Sequence, residues 1–194
     1  MLPPTEAEIR GILGPHEKDI LAVVHGAWQD FQDLGLSGRL RYKRNRAGLV
    51  HDFMVQRGMG LWGEGSGVTW QEKDETAKFI FAEKVVVRFK KADENGLGSN
   101  IMTQAVMAFV DPQMELPGIP SVSKVEVVYA LNAFETQIET VAVVSRDGDQ
   151  ELWSYVIDDL GGAAVIPLPL APTPTEPDVV ITPKALPEKP KKTG

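Results

Sequence analysis

Residues 136–157 read TQIETVAVVSRDGDQELWSYVI, and two β-strands joined by a tight turn are predicted from this segment alone. β-Branched and aromatic residues dominate both halves, as is typical of strands. Asp147-Gly148 lies between the halves, and Asp-Gly is a preferred pair for the turn of a β-hairpin. Residues 124–131 show a similar alternation. A three-strand antiparallel meander is therefore expected at the end of the folded region.

Further elements are predicted upstream of the meander. Residues 79–81 and 85–89 cluster aromatic and β-branched side chains, which favours two strands. A helix is predicted at residues 101–110, with Ser99 or Asn100 as its N-cap. Strands and helices that are separated along the chain in this way indicate an α+β domain.

The N-terminal third is predicted to be helical. Thr5 and Glu8 have the spacing of a capping box, which starts a short helix. A second helix is expected to end near Gly35, and a third is expected to run from Ser37 to about Gln56. The second helix carries an apolar stripe at spacings of three and four residues: Ile20, Val24, Ala27, Phe31 and Leu34. These helices are expected to pack on a mostly antiparallel sheet.

The chain of 194 residues is expected to hold one domain, residues 1–160, and a tail, residues 161–194. Prolines recur throughout the tail, which predicts an extended, polyproline-like and largely disordered segment. Two apolar segments interrupt it: VIPLPL from Val165 to Leu170, and VVI from Val179 to Ile181. Either segment could add a strand to a sheet edge of this chain or of another copy, so a homodimer is one expectation.

The composition excludes several classes of protein. A net charge of −7 argues against binding nucleic acid or anionic membranes over the whole surface, so such binding would need a local basic patch. Without cysteine there are no disulfides, thiolate metal sites or cysteine nucleophiles. The N-terminal residues lack the pattern of a signal peptide, and no apolar run approaches about 20 residues. A cytoplasmic protein without a membrane partner is expected.

Positive charge is concentrated in residues 37–57, SGRLRYKRNRAGLVHDFMVQR, within a chain that is acidic as a whole. On a regular helix Arg39, Lys43, Arg46 and Arg57 would fall within a sector of about 60°. This basic helix face is predicted to bind an anionic macromolecule, either nucleic acid or an acidic protein surface. Few aromatic residues besides Tyr42 lie among these charges. The sequence therefore does not favour binding of single-stranded nucleic acid through bases stacked on aromatic side chains.

Two structural interpretations of the same charges stay open. The arginines could form a solvated helix face whose aliphatic stems cover the edge of the core. Alternatively, the basic helix could pack against the protein's own acidic sheet.

Residues 58–63, GMGLWG, match the GxGxxG pattern. The dinucleotide-binding fingerprint requires a strand before the pattern and a helix after it, and here a helix is expected before it. A mobile surface loop is predicted instead. Trp62 and Trp70 would either anchor this loop to the core or offer a contact surface to the partner.

Arg44, Asn45 and His51 give a second hypothesis for function, because their types and spacing resemble the active-site motif of the HEPN ribonucleases. The resemblance implies an all-helical, dimeric, RNA-cleaving toxin. In it, Arg44 would stabilise charge on the scissile phosphate and His51 would transfer protons.

Other catalytic signatures are missing from the sequence, including a Walker loop, Gly-x-Ser-x-Gly and His-Glu-x-x-His. His16 and His25 have no second ligand at a convincing spacing, so neither a metal site nor a cofactor is predicted. The first hypothesis is therefore a non-enzymatic binding or accessory protein, of bacterial or phage type, and the alternative is the HEPN-like ribonuclease.

Overall fold

A computed structural model describes residues 3–36, 38–73, 76–100, 103–116, 118–119 and 122–158 of the chain. The described residues belong to one compact unit. The predictions for the proline-rich tail, including its segments 165–170 and 179–181, fall outside the described residues.

Helices make up the N-terminal third, as predicted. They are α1 (Glu6–Leu13), a 3-10 turn (Gly14–His16), α2 (Glu17–Asp33) and α3 (Lys43–Leu61). A fourth helix, α4 (Gln104–Val110), comes later in the chain. The capping box is confirmed, because the Thr5 hydroxyl accepts from the backbone of Glu8 while the Glu8 carboxylate accepts from the backbone of Thr5. α2 buries most of its predicted stripe, but Leu34 lies just after the helix and is 48% exposed.

The third helix differs from its prediction at both ends. It begins at Lys43 with Tyr42 as N-cap, and it continues to Leu61. Residues 34–42 form the connection from α2, so Arg39 lies in a turn before α3 and not on it. The predicted capping residue, Ser37, is outside the described residues.

A six-stranded sheet follows, with its strands in sequence order. The strands are β1 (Val68–Lys73), β2 (Thr76–Phe81), β3 (Val85–Lys91), β4 (Ser123–Leu131), β5 (Ile138–Asp147) and β6 (Gln150–Val156). All neighbours are antiparallel except β3 and β4, which are parallel. A parallel pair needs a crossover connection, and the chain between β3 and β4 contains α4. The α+β class and the C-terminal meander are confirmed.

The two faces of the sheet are covered differently. Side chains alternate between faces along a strand, so Val85, Val87 and Phe89 join the core formed with α1, α2 and α3. Val86 faces the other way and packs with Val106 and Phe109 of α4. The N-cap of α4 is Thr103 and not the predicted Ser99 or Asn100, because its hydroxyl accepts from the backbone of Val106 at 3.3 Å.

Candidate functional site

The first turn of α3 combines positive charges with a helix N-terminus. Lys43 and Arg44 open the helix, Arg41 precedes it, and all three are exposed. The first turn contains no acidic residue, and within the described residues the N-cap Tyr42 makes no side-chain capping hydrogen bond. Cations at this end are disfavoured by the helix dipole, whereas a bound anion would be favoured. Such a conflict between sequence and local structure is typical of a functional surface.

A pocket of about 140 Å³, open to solvent, lies beside this turn. It is lined by residues of the α3 start and of the β4–β5 loop: Leu40, Arg41, Tyr42, Lys43, Arg46 and Glu135. We call it the basic pocket.

One carboxylate, that of Glu135, lies among three cations in this pocket. Its Oε1 is 3.2 Å from Nζ of Lys43 and 3.4 Å from Nζ of Lys91, and its Oε2 accepts from Arg46. The hydrogen bond from Arg46 is the main cause that lowers the pKa of Glu135 to about 2. The site therefore already binds one anionic group. Because three cations surround this single carboxylate, a net positive charge remains.

Three further cations near the pocket are not neutralised. Arg39, Arg41 and Arg44 are exposed, and no ion pair involves them in the part of the chain that the structure describes. The guanidinium carbons of Arg44 and Arg41 lie 5.3 Å and 5.9 Å from the ring centroid of Tyr42, which is itself 53% exposed. The outer surface of the site is therefore arginine-rich around one aromatic ring.

Only part of the predicted basic stripe lies on α3. Lys43, Arg46 and Arg57 keep the predicted sector of about 60° on the helix, and Lys43 and Arg46 meet at the pocket. Arg57 lies about 21 Å along the helix axis from Lys43, given a rise of 1.5 Å per residue, and it makes a two-fold ion pair with Asp30 of α2, at 2.5 Å and 2.7 Å. The prediction is wrong for Arg39, which lies before the helix because α3 starts later than expected.

Trp62 lies in the core, at the C-cap of α3. It is 2% exposed, with its ring centroid 5.1 Å from that of Phe79 and 5.2 Å from that of Phe81. Residues 58–61 of the predicted loop belong to α3, and the connection to β1 follows them. Gly58 lets the helix approach Phe79 so closely that an added Cβ would lie 2.7 Å from the ring. The partner-contact role of Trp62 is thus wrong, and its alternative role as a core anchor fits this placement.

The two residues of the HEPN-like motif are in different environments. Arg44 is exposed beside Tyr42, whereas Nδ1 of His51 is buried without a hydrogen-bond partner among the described residues. Burial, followed by the charge of Lys90, lowers the pKa of His51. The six-stranded sheet also differs from the all-helical fold that the resemblance implies.

Comparison of the chain with known protein families, curated proteins and solved structures finds no match. Within the described ranges, no group of three or more His, Cys, Asp or Glu side chains could hold a metal ion. None of the described helices is both long and apolar enough to cross a membrane.

A second charged cluster lies inside the protein, between the sheet and the loop that follows β3. Glu126 of β4 accepts from Nη1 of Arg146 at 3.3 Å, from the backbone of Gly98 at 3.2 Å and from Nδ2 of Asn100 at 3.2 Å. Arg88, the register partner of Glu126 on β3, is also buried. Gly98 is required here, because an added Cβ would lie 2.4 Å from Oε2 of Glu126. These contacts tie the loop to the sheet and leave the cluster inaccessible to a large partner.

Sequence reasoning missed several residues of the basic pocket. Glu135 and Lys91 are distant from the α3 start in sequence, and no local pattern links them to Lys43. Arg41 could have been found, since it belongs to the same charged segment, but the predicted helix placed it outside the stripe.

Proposed function

We propose that this protein is a non-enzymatic binding protein that holds nucleic acid at the basic end of α3. The observation that carries the proposal is the group of exposed, unpaired arginines, Arg39, Arg41 and Arg44, around a pocket that already holds a carboxylate. A local cluster of this kind supplies the basic patch that a chain of net charge −7 needs to bind a polyanion.

The site suits a phosphate partner. It is richer in exposed arginine than in lysine, and guanidinium groups bind phosphate oxygens, like carboxylates, in a bidentate manner. The uncapped N-terminus of α3 adds backbone donors that suit a phosphate group. Tyr42 adds a ring that a base or ribose could contact, for which an acidic protein surface has no equivalent.

The negative charge of the remaining surface would orient the partner. Since nucleic acid is repelled elsewhere, binding concentrates at the α3 start and becomes strongly dependent on salt. An acidic protein partner remains the competing outcome, and the test must separate the two.

The proposal is tested by fluorescence anisotropy with labelled RNA and DNA oligonucleotides over a salt series. The R41A/R44A double variant should weaken binding at least tenfold and reduce the slope of log K against log salt by about 0.7 to 0.9 for each lost phosphate contact. The matched control is K18A/K84A, which removes two exposed cations from other elements, α2 and the β2–β3 turn. Equal effects of the two double variants, or no binding at low salt, would overturn the proposal.

The same samples test the ribonuclease alternative. Incubated RNA should stay intact with wild-type protein, because Nδ1 of His51 is buried whereas Arg44 is exposed to solvent. Cleavage that disappears in His51→Ala would instead support the HEPN-like activity.

A further inference from the structure

Phe134 is the most exposed of the large apolar side chains that the structure describes, at 87%. It lies in the β4–β5 loop, directly before Glu135. An exposed phenyl ring forgoes the stabilisation that burial of its apolar area would give.

The loop that carries Phe134 is held in place. The Asn132 side chain accepts from the backbone of Thr136 at 2.9 Å, and the backbone of Glu135 donates to that of Asn132 at 2.8 Å. Gln32 of α2 donates to the backbone of Thr136 at 2.7 Å. The ion pairs of Glu135 attach the loop to α3 as well. Phe134 therefore projects from a braced loop, and its exposure is a property of the folded state.

The braced loop places Phe134 next in the chain to Glu135, which lines the basic pocket. Glu135 lines the same pocket as Tyr42 and Arg41, and Phe134 is its neighbour in the chain. Two exposed aromatic side chains, Tyr42 and Phe134, thus lie on the two elements that meet at this pocket. Sequence alone shows only Tyr42 among the charges, because Phe134 is contributed by a distant segment.

We propose that the partner of the basic pocket is single-stranded nucleic acid, with bases stacked on Phe134 and Tyr42 and phosphates bound by Arg41, Lys43 and Arg44. This inference rests on the proposed function. Binding of single strands without a strong sequence preference combines a positive groove with aromatic side chains, since every base has a face that can stack. In a duplex the base faces are already stacked on each other and are inaccessible to a projecting ring.

The test compares a single-stranded oligonucleotide with a duplex of the same length, using anisotropy with wild type, Phe134→Ala, Tyr42→Ala and Phe134→Leu. The two alanine variants should each weaken single-strand binding about 5- to 100-fold, the range expected for loss of one stacked base. Phe134→Leu should recover little of this loss, because leucine has no π face. An oligonucleotide that carries 2-aminopurine should lose fluorescence on binding to wild type and lose less on binding to Phe134→Ala.

Trp70→Ala is the matched control, since Trp70 is an exposed aromatic residue, 46% exposed, on the edge strand β1. It should leave single-strand affinity unchanged. Because Phe134 makes so little contact with the fold, its variants should keep the melting temperature of wild type, which separates a binding defect from unfolding.

The outcomes separate the two proposals. If duplex and single strand bind equally, and Phe134→Ala has no effect while R41A/R44A still weakens binding, the stacking proposal is overturned and the nucleic-acid proposal stands. If no oligonucleotide binds at low salt, both fall. If polyglutamate competes as well as an oligonucleotide of equal charge, the site recognises charge alone and the stacking proposal is again overturned.

Discussion

Oε2 of Glu135 accepts a hydrogen bond from Arg46, which lies 89 residues earlier in the chain. This contact joins the β4–β5 loop to α3, and the same carboxylate also meets Lys43 and Lys91. A carboxylate in this position resembles an anionic ligand, because it satisfies cations that would otherwise repel each other. The contact therefore links the stability of the loop to the charge that the pocket offers a partner.

Removing the carboxylate should strengthen binding of nucleic acid while weakening the fold. In Glu135→Gln the pocket gains one positive charge, so we expect the affinity for an oligonucleotide at low salt to rise by about threefold or more. The free energy of unfolding should fall by about 1 kcal/mol or less, since the ion pairs are partly exposed. Anisotropy and urea denaturation measure the two effects. Glu139→Gln, an exposed residue on β5 with the same charge change, is the control.

Glu135 should also contribute to acid sensitivity. Its pKa falls from 4.5 to about 2 on folding, mainly through the hydrogen bond from Arg46. The folded state therefore binds fewer protons than the unfolded state in this range, and the contribution of Glu135 to stability is complete above about pH 4.5 and lost as the pH falls towards 2. The stability difference between wild type and Glu135→Gln should accordingly be larger at pH 6 than at pH 3 in urea titrations. A difference that does not change with pH would contradict this assignment.

Loss of Glu126 should be far more damaging than loss of Glu135. Its side chain is 1% exposed and that of Arg146 is 6% exposed, while Arg88 lies beside them with its Nε unpaired among the described residues. Glu126→Ala removes the carboxylate beside buried Arg88 and leaves buried Arg146 with only the exposed Asp149 as its counter-charge, which should cost about 3 to 5 kcal/mol of the free energy of unfolding. Chemical denaturation measures this cost. If Glu126→Ala proved no more destabilising than Glu139→Ala, the cluster would not stabilise the fold.

The β2–β3 turn should be open to stabilisation. Ala82 and Glu83 both have positive φ angles, 48° and 56°, in the loop of residues 82–84, where the Lys84 to Phe81 backbone hydrogen bond of 2.9 Å closes the turn. Left-handed backbone disfavours residues with a Cβ, and Asn-Gly is the preferred pair here. A82N/E83G should raise the free energy of unfolding by about 1 kcal/mol. Glu83→Ala keeps the Cβ and should change little, and an unchanged urea midpoint in A82N/E83G would show that the turn is not strained.

Much of the fold follows from local patterns. The capping box at Thr5, the apolar stripe of α2 and the Asp147-Gly148 turn each depend on residues within a few positions of one another. Hydrophobic periodicity and turn chemistry act at this range, so these elements and the α+β class are predictable from sequence. The start of α3 was not predictable from the sequence, because the helical pattern continues before Lys43 while the connection from α2 requires a turn there.

The candidate site was only half predictable. The sequence determined that Arg41, Lys43 and Arg44 form a charged segment in an acidic chain, since charge clusters along the chain are visible without a structure. Only the tertiary structure decided which cations are paired and which aromatic residues are exposed. Arg57 pairs with Asp30, Glu135 contacts α3, Trp62 lies in the core and Phe134 is exposed. The physical reason is that pairing and exposure depend on contacts between distant segments, and those contacts are set by how the helices pack on the completed sheet.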